Sequence, residues 1–226
     1  MLSPSLKGLN MKIPIVKKVL EANDRIAEEN RRIFETMGTL VINLMSGPGA
    51  GKTTLLEKTI QALNSQYRLA VIEGDIQSTS DAERIASTGV PVVQINTGGA
   101  CHLDANMVRE ALEQLDLKTL DILLVENVGN LVCPAEFNVG EDYKVMLLSV
   151  AEGDDKPIKY PLIFHESSLL LINKTDLLPY VDCSIRKIRK ESLKINPNLE
   201  IFEISCKTGD GLTHWFTWLS GKRKQK

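Results

Sequence analysis

The sequence has few cysteines, few histidines and no long hydrophobic run. Its 226 residues include four Cys and three His, with no Cys-x-x-Cys pair and no spacing that suggests a disulfide framework. The longest apolar stretches have strand length, far below the roughly 20 residues needed to cross a membrane. The N-terminus lacks a charged flank followed by an apolar core, so no secretory signal is visible. We therefore expect a cytoplasmic protein of a reducing compartment.

An excess of charge of either sign is also missing. The formal net charge is −2, with 43% apolar and 25% charged residues, which are ordinary values for a globular protein. So small a net charge argues against a protein that coats nucleic acid or an anionic membrane. The basic residues at 221–226 are typical of a solvated chain end, and we assign them no function.

Residues 1–38 predict a helical arm that precedes the main domain. Between Pro14 and Gly38, which favour the start and the end of a helix, apolar side chains recur at helical spacing. They are Val16, Val19, Leu20, Ile26, Ile33 and Phe34. We expect this helix to pack on the outside of the domain, and a role in partner binding or dimer support is the alternative.

From residue 39 to residue 226 the pattern predicts one α/β domain. Apolar runs rich in Val, Ile and Leu occur at 39–45, 68–73, 91–95, 120–126, 144–150, 168–172 and 199–204. Amphipathic stretches lie between them at 53–65, 80–88, 103–115, 182–195 and 211–220. Continuous apolar strands that alternate with helices indicate a mostly parallel sheet flanked by helices, as in phosphate-loop NTPases.

A glycine-rich turn separates the first predicted strand from the helix that follows it. Gly51-Lys52-Thr53 matches the end of the G-x-x-x-x-G-K-[ST] pattern, although Ser46 stands at the position of its first glycine. Lys52 would reach the β- and γ-phosphates, and the Thr53 hydroxyl would bind Mg²⁺. The predicted phosphate-binding residues are Gly47, Pro48, Gly49, Ala50, Gly51, Lys52, Thr53 and Thr54. The pattern predicts a nucleoside triphosphate site.

Carboxylates follow two of the predicted strands. Asp75 lies just after the second predicted strand, at the sheet edge where phosphates bind, and Glu126 ends the strand that we expect beside the phosphate loop. Either carboxylate could hold Mg²⁺. Glu126 and Gly129 resemble the D-x-x-G switch of GTPases with Glu in place of Asp. Asp81 is a candidate for orienting the attacking water, or a helix N-terminal charge that interacts with the helix dipole. We predict Lys52, Asp75, Glu126 and Asp81 as the catalytic set and leave open which carboxylate positions water.

Two later segments indicate that the base is guanine. Asn173-Lys174-x-Asp176 follows an apolar strand, and the Asp176 carboxylate can accept hydrogen bonds from N1–H and the 2-amino group of guanine. Adenine lacks these donors and would leave the carboxylate unpaired. Ser205-Cys206-Lys207 resembles the S-A-K loop that faces the guanine oxygen. Both segments predict GTP rather than ATP.

Three soft metal ligands lie in loops on the nucleotide side of the predicted sheet. Cys101 and His102 follow one strand, and Cys133 lies four residues after Gly129. Thiolate and imidazole suit Zn²⁺, Ni²⁺ and copper. Three ligands fall short of the four that a closed structural zinc site uses, so either water completes the site or two subunits share it. Cys183 and Cys206 are predicted to be structural.

These segments together resemble a known family. SGPGAGKTTLLEK, EGDI, NTGGACHLDA, ENVGNLVCPAEFNVGE, SVAEGDDKPIKYP and INKTDLLP are similar to the nickel-incorporation GTPase of [NiFe]-hydrogenase maturation, in the signal-recognition and Min-type branch of phosphate-loop proteins. The resemblance implies slow GTP hydrolysis, GTP-dependent homodimerisation and nickel or zinc bound by Cys101, His102 and Cys133. The implied partners are the nickel- and zinc-binding accessory protein of the pathway and the hydrogenase large-subunit precursor.

Two departures and two alternatives accompany this resemblance. The N-terminus has no cysteine motif or histidine run, so we expect no high-affinity nickel store. ATPase relatives often carry a lysine at the position of Gly47, and Lys159 is a candidate substitute for that charge. A urease-maturation GTPase is one alternative, but its expected Cys-Pro-His reads Cys133-Pro134-Ala135 here. The other is a non-catalytic scaffold that dimerises with GTP and zinc.

Overall fold

The structure is a computed structural model that describes residues 15–76 and 79–223, with side chains from residue 19 onward. The predicted helix start at Pro14 and the end of the basic tail lie outside the described residues.

A single parallel sheet organises the described residues. Its seven strands have the order β3-β2-β4-β1-β5-β6-β7, and every neighbouring pair is parallel. The strands are β1 (Leu40–Ser46), β2 (Leu69–Asp75), β3 (Val92–Asn96), β4 (Ile122–Glu126), β5 (Tyr143–Ser149), β6 (Leu169–Asn173) and β7 (Glu200–Glu203). Each strand coincides with one predicted apolar run, to within one or two residues at each end. The predicted α/β fold is therefore confirmed.

Helices cover both faces of the sheet. Those described are α1 (Ile15–Met37), α2 (Lys52–Leu63), α3 (Ser80–Ala86), α4 (Ala105–Leu112), α5 (Cys133–Glu136), α6 (Lys156–Lys159), α7 (Pro161–Glu166), α8 (Ile185–Ile195) and α9 (Leu212–Lys222). The sequence analysis did not predict α5, α6 or α7, which are too short to show an apolar period. Short 3₁₀ turns occur at Val150–Glu152 and Thr175–Tyr180.

The core lies on both sides of the strands because alternate residues of each strand face opposite layers. Leu40, Ile42 and Leu44 of β1 pack with α2 and α9 on one face. Val41 packs on the other face in a cluster that includes Phe34 of α1 and residues of α4. Residues of α7 and α8 cover the same face further along the sheet. Burial on both faces explains why the strands are continuous apolar runs.

The arm helix α1 packs against α4, another helix that covers the sheet. The sequence analysis expected α1 on the outside of the domain. Two of its asparagines are buried: the Asn23 Oδ1 atom accepts a hydrogen bond from Ala105 N at 2.8 Å, and Asn30 Nδ2 donates to Ala105 O at 2.8 Å. Val19, one of the apolar residues at helical spacing on this helix, is 52% exposed.

The strand order places the ends of β1, β2 and β4 side by side. Because β4 lies between β2 and β1, its last residue, Glu126, pairs in register with Glu73 of β2 and Leu44 of β1. The loops after these strands therefore meet at one edge of the sheet. Among the described helices, none has the length and apolar character that a membrane crossing requires.

Candidate nucleotide and metal sites

The phosphate loop connects β1 to α2. Gly49 and Gly51 have φ angles of 71° and 106°, a left-handed conformation that side chains rarely adopt, so glycine is required at both positions. Gly47 lies close to a neighbouring side chain, because a Cβ atom there would come within 2.6 Å of Glu152 Oε2. Ser46, at the position of the missing first glycine, accepts a hydrogen bond from Lys52 Nζ at 3.0 Å. The loop therefore closes around the lysine that was predicted to bind phosphates.

Two buried glutamates lie beside this loop. Glu126 Oε1 accepts a hydrogen bond from Thr53 Oγ1 at 2.9 Å, whereas its Oε2 atom has no partner among the described residues. Glu73 is only 2% exposed, and its Oε2 atom also lacks a described partner. Burial, with the neighbouring carboxylates, raises the pKa of Glu73 to about 8. Burial likewise raises the pKa of Glu126 to about 7, although Lys52 and Thr53 oppose that change.

These carboxylates suit a hard divalent cation. Two buried oxygens without partners, a threonine hydroxyl and an adjacent phosphate site form the oxygen-rich set that Mg²⁺ prefers. The same surplus of acidic groups keeps the Lys52 ammonium compensated, although burial lowers its pKa. Thr53 and Glu126 fit the predicted magnesium role on this geometry, and Glu73 is a further oxygen donor that the sequence analysis missed.

The two other predicted acidic residues lie at the same edge. Asp75 ends β2 and is half-buried, and Asp81 lies in the first turn of α3. Asp81 Oδ1 is 3.1 Å from Arg84 Nη1, and Arg84 also pairs with Glu57 at 2.8 Å. A cavity of about 280 Å³ opens between the phosphate loop and α3. It is lined by Gly49, Gly51, Lys52, Thr53, Thr54, Asp81, Arg84, Glu126 and Lys174. Asp81 thus faces the cavity, whereas Asp75 is not among its described lining residues.

The two predicted guanine segments meet behind the phosphate loop. Asn173 Nδ2 donates to Ala50 O at 2.9 Å, and Asn173 Oδ1 accepts from Cys206 N at 3.2 Å. Asn173 therefore joins the phosphate loop to the Ser205-Cys206-Lys207 loop. Ser205 Oγ donates to Asp176 Oδ1 at 2.6 Å, which fixes the orientation of the carboxylate.

The lysines of these segments have different surroundings. Lys174 has a left-handed φ of 62°, and its Nζ atom donates to Gly49 O at 2.7 Å, across the phosphate loop. Lys207 is exposed. Lys159, the candidate substitute for a missing charge at Gly47, is also exposed, and its Nζ atom lies 2.6 Å from Asp155 Oδ2. Its role as a transition-state charge stays a prediction.

The three soft ligands come together. One potential ligand atom from each of Cys101, His102 and Cys133 lies within 4.8 Å of the others, and the two sulfur atoms are 2.6 Å apart. The His102 ring stacks on Phe137 with ring centroids 3.7 Å apart. Burial lowers the pKa of His102 and therefore favours the neutral imidazole that metals bind. Burial and the adjacent Cys101 thiol raise the pKa of Cys133, so metal binding must displace its proton.

The remaining cysteines lie apart from this cluster. Cys206 is buried in the core behind the phosphate loop, and burial raises its pKa to about 11. Cys183, which was expected at the start of a helix, packs against the third core cluster and lies just before α8.

One chain segment joins the nucleotide and metal sites. It begins at Glu126, passes Gly129 and reaches Cys133 at the start of α5. A Cβ atom at Gly129 would lie 3.0 Å from Pro48 Cα, so this glycine allows the segment to pack directly on the phosphate loop. The short separation of Glu126 and Cys133 along the chain was visible in the sequence. Glu73, in contrast, was not identified there as a candidate. Its only visible mark was a charged residue inside an apolar strand.

Comparison with known proteins identifies the family of this chain. Residues 40–203 match the family described as CobW/HypB/UreG, nucleotide-binding domain. The hydrogenase maturation factor HypB of Azotobacter chroococcum mcd 1 is 49% identical over 221 residues, which are 98% of this chain and 72% of that protein. Both matches extend over the phosphate loop, the first guanine segment and the Cys/His cluster, and the match to the Azotobacter protein also covers residues 205–207.

Solved structures show the same relation. The crystal structure of HypB from Archaeoglobus fulgidus is 40% identical, with a TM-score of 0.84 over 89% of this chain and 98% of that one. HypB from Helicobacter pylori, crystallised in complex with nickel, is 38% identical, with a TM-score of 0.85 over 89% of this chain and 94% of that one. The chain therefore belongs to the CobW/HypB/UreG family of nucleotide-binding proteins, and within it to the HypB hydrogenase maturation factors.

Proposed function

We propose that this chain is a GTP-hydrolysing regulator that binds nickel or zinc and drives nickel insertion into the [NiFe]-hydrogenase precursor through GTP-dependent dimerisation. The observation that carries the proposal is the segment from Glu126 to Cys133. It begins at the phosphate site and ends at a thiol 2.6 Å from Cys101. A nucleotide and a soft metal ion would thus bind to two ends of one short stretch of chain.

The arrangement around Asp176 supports GTP as the nucleotide. Its carboxylate is oriented by Ser205, and Asn173 holds the two base-contacting loops against the phosphate loop. The carboxylate would accept the two guanine N–H donors, and the Lys174 stem would lie over the base. Adenine would leave the oriented carboxylate without donors, which typically costs several kcal/mol.

The residues around Lys52 support hydrolysis. Lys52 would bind the β- and γ-phosphate oxygens, and the positive end of α2 would add to their stabilisation. Bound Mg²⁺ would neutralise charge that develops on the phosphate oxygens, with Thr53 and Glu126 as its protein ligands and Asp75 as a further candidate. Asp81, which faces the cavity, is our candidate for orienting the attacking water.

The Cys/His cluster supports the role in metal handling. Cys101, His102 and Cys133 offer three soft ligands, a set that suits Ni²⁺ and Zn²⁺ but not Mg²⁺. Since closed zinc sites use four ligands, we propose that a second subunit supplies further ligands in the GTP-bound dimer. The related HypB crystallised with nickel supports nickel as cargo. The accessory protein and the hydrogenase large-subunit precursor are the proposed partners.

Metal titration in defined nucleotide states tests the proposal. The full chain is titrated with Ni²⁺ in the presence of Mg²⁺ and either GDP or a non-hydrolysable GTP analogue, and its mass in solution is measured in each state. We expect a dimer with the GTP analogue but not with an ATP analogue, and a nickel affinity that differs between the two guanine-nucleotide states. Equal affinities and equal masses would contradict the switch.

Cysteine variants separate the metal site from the fold. Cys101→Ala and Cys133→Ala should weaken nickel binding but retain GTP hydrolysis, because neither residue is among the described lining of the cavity beside the phosphate loop. Cys183→Ala is the matched control, since this thiol lies outside the cluster and should leave nickel binding unchanged. Unfolding of both cluster variants would instead favour a structural zinc site. Absence of phosphate release in single-turnover experiments would favour the non-catalytic scaffold.

A further inference from the structure

Asn127 is a buried asparagine at the junction of the two sites. It follows Glu126 directly, is 1% exposed and has its backbone N–H bonded to Leu44 O of β1 at 3.0 Å. Its side-chain Oδ1 atom accepts hydrogen bonds from Leu103 N and Val128 N, both at 3.0 Å. Buried amide groups with several hydrogen bonds fix the geometry of the segments that they join.

The bond to Leu103 reaches the other half of the metal site. Leu103 is the residue after His102, so Asn127 holds the backbone of the loop that carries Cys101 and His102. Cys133 lies on the same segment as Asn127, six residues further on. The Asn127 side chain therefore connects the loop that carries Cys101 and His102 to the segment that carries Cys133.

The opposite end of Asn127 is anchored in the sheet. Its Nδ2 atom donates to Asn43 Oδ1 at 3.1 Å, and Asn43 Nδ2 donates in turn to Glu141 Oε1 at 3.2 Å. Asn43 lies on β1, the strand that leads into the phosphate loop. Displacement of Glu126 or of the phosphate loop would thus reach Asn127 both through the backbone and through Asn43.

The chain just beyond Leu103 is held by a different element. Ala105, two residues after Leu103, bonds through its N–H to Asn23 and through its C=O to Asn30, both on α1. Neither asparagine belongs to the segment that follows Glu126. Both attachments follow His102 in the chain: Leu103 is bound to the segment after Glu126, and Ala105 is bound to α1.

We propose that Asn127 is the positioning residue that transmits the nucleotide state to the Cys101–His102 half of the metal site. When nucleotide and Mg²⁺ change the contact between Glu126 and Thr53, Asn127 moves with Glu126 and shifts the backbone at Leu103. The distance between the Cys101–His102 pair and Cys133 then differs between the GDP and GTP states. This inference rests on the proposed function and names the residue through which its coupling acts.

The test measures coupling rather than activity. The nickel dissociation constant is measured by competition with a chromophoric chelator, with Mg²⁺ and either GDP or a non-hydrolysable GTP analogue. We expect the wild-type constants to differ by about tenfold between the states, within the usual range of allosteric coupling. In Asn127→Ala and Asn127→Ser the ratio should fall to within about twofold, since neither side chain reaches Leu103 N. The thiolate-to-nickel charge-transfer absorption should likewise stop changing with nucleotide.

Asn30→Ala is the matched control. It also removes a buried asparagine that binds the start of α4, but on the α1 side, so it should lower stability and keep the wild-type ratio. Asn127→Ser retains a polar group and is the variant to use if Asn127→Ala does not fold. A folded Asn127→Ser with the wild-type ratio would overturn the assignment, as would loss of the ratio in Asn30→Ala. A wild-type ratio of one would overturn both this inference and the proposed switch, whereas loss of the ratio only in the Asn127 variants supports both.

Discussion

Replacing Glu73 by Gln should stabilise the nucleotide-free protein at alkaline pH. Glu73 is 2% exposed, one of its carboxylate oxygens has no described partner, and it pairs in register with a second buried glutamate, Glu126. Glutamine has nearly the same shape as a protonated glutamate but cannot ionise. The substitution therefore removes the electrostatic cost and leaves the packing of β2 and β4 in place.

The size of the effect follows from the raised pKa of Glu73. It lies at about 8 in the folded protein, compared with an ordinary value of 4.5. Between these values the folded protein retains a proton that the unfolded chain has released, so stability falls as pH rises. The slope is about 1.4 kcal/mol per pH unit for one such group. From about pH 5.5 to pH 8, Glu73 should lower the free energy of unfolding by ~3 kcal/mol, a loss that the glutamine variant should not suffer.

Urea unfolding in EDTA, without nucleotide, at both pH values measures this difference. Glu126, whose pKa is raised to about 7, contributes a pH-dependent loss in both proteins, so the comparison isolates Glu73. Glu113→Gln, at an exposed glutamate, is the control and should follow the wild type. If wild type and Glu73→Gln lose stability in parallel between the two pH values, then Glu73 is not held neutral by burial.

Three further substitutions test other parts of the structure. Asp176→Asn replaces a hydrogen-bond acceptor by a donor, so the affinity for GDP, measured by calorimetry, should fall by roughly 100-fold. Xanthosine diphosphate, whose base has a carbonyl at C2, should bind the variant more tightly than it binds the wild type. Gly51→Ala forces a side chain into a φ of 106° and to within 2.6 Å of Asn173 Nδ2, so thermal unfolding should show a loss of about 1–3 kcal/mol and nucleotide binding should weaken. Trp215→Phe removes the 2.8 Å hydrogen bond to Thr59 Oγ1 and leaves a cavity, which should cost ~2 kcal/mol in urea unfolding without changing nucleotide affinity.

The sequence predicted the strands well because their apolar runs are buried on both faces. The run 68–73 became β2 (Leu69–Asp75), and the run 168–172 became β6 (Leu169–Asn173). Strand order was accessible only at one point: Glu126 was expected beside the phosphate loop, and β4 does lie next to β1. The helical period identified the long helices but not α5, whose four residues complete barely one turn.

Features that depend on register and on loop contacts were not predictable. Glu73 gains its significance from lying opposite Glu126, which requires both the neighbour relation of β2 and β4 and their register. Asn127 was invisible because its partner, Leu103, is 24 residues away in the chain. Val19 fits the apolar period of α1, yet its side chain is half-exposed. The period predicts which face of a helix is apolar, but not whether another element covers each residue of that face. In contrast, the Cys/His cluster was predicted because all three ligands follow strand ends.

The position of β1 in the sheet has a consequence for the order in which the chain can fold during synthesis. Both neighbours of β1, namely β4 and β5, come after it by some 80 to 100 residues in the chain, whereas the next strand synthesised, β2, does not pair with it. Pairing over such separations is slow, because the loop must close before contacts form. The strand that leads into the phosphate loop therefore lacks one of its two neighbours until Tyr143–Ser149 has left the ribosome. A nascent chain of this protein should acquire nucleotide affinity late and in one step.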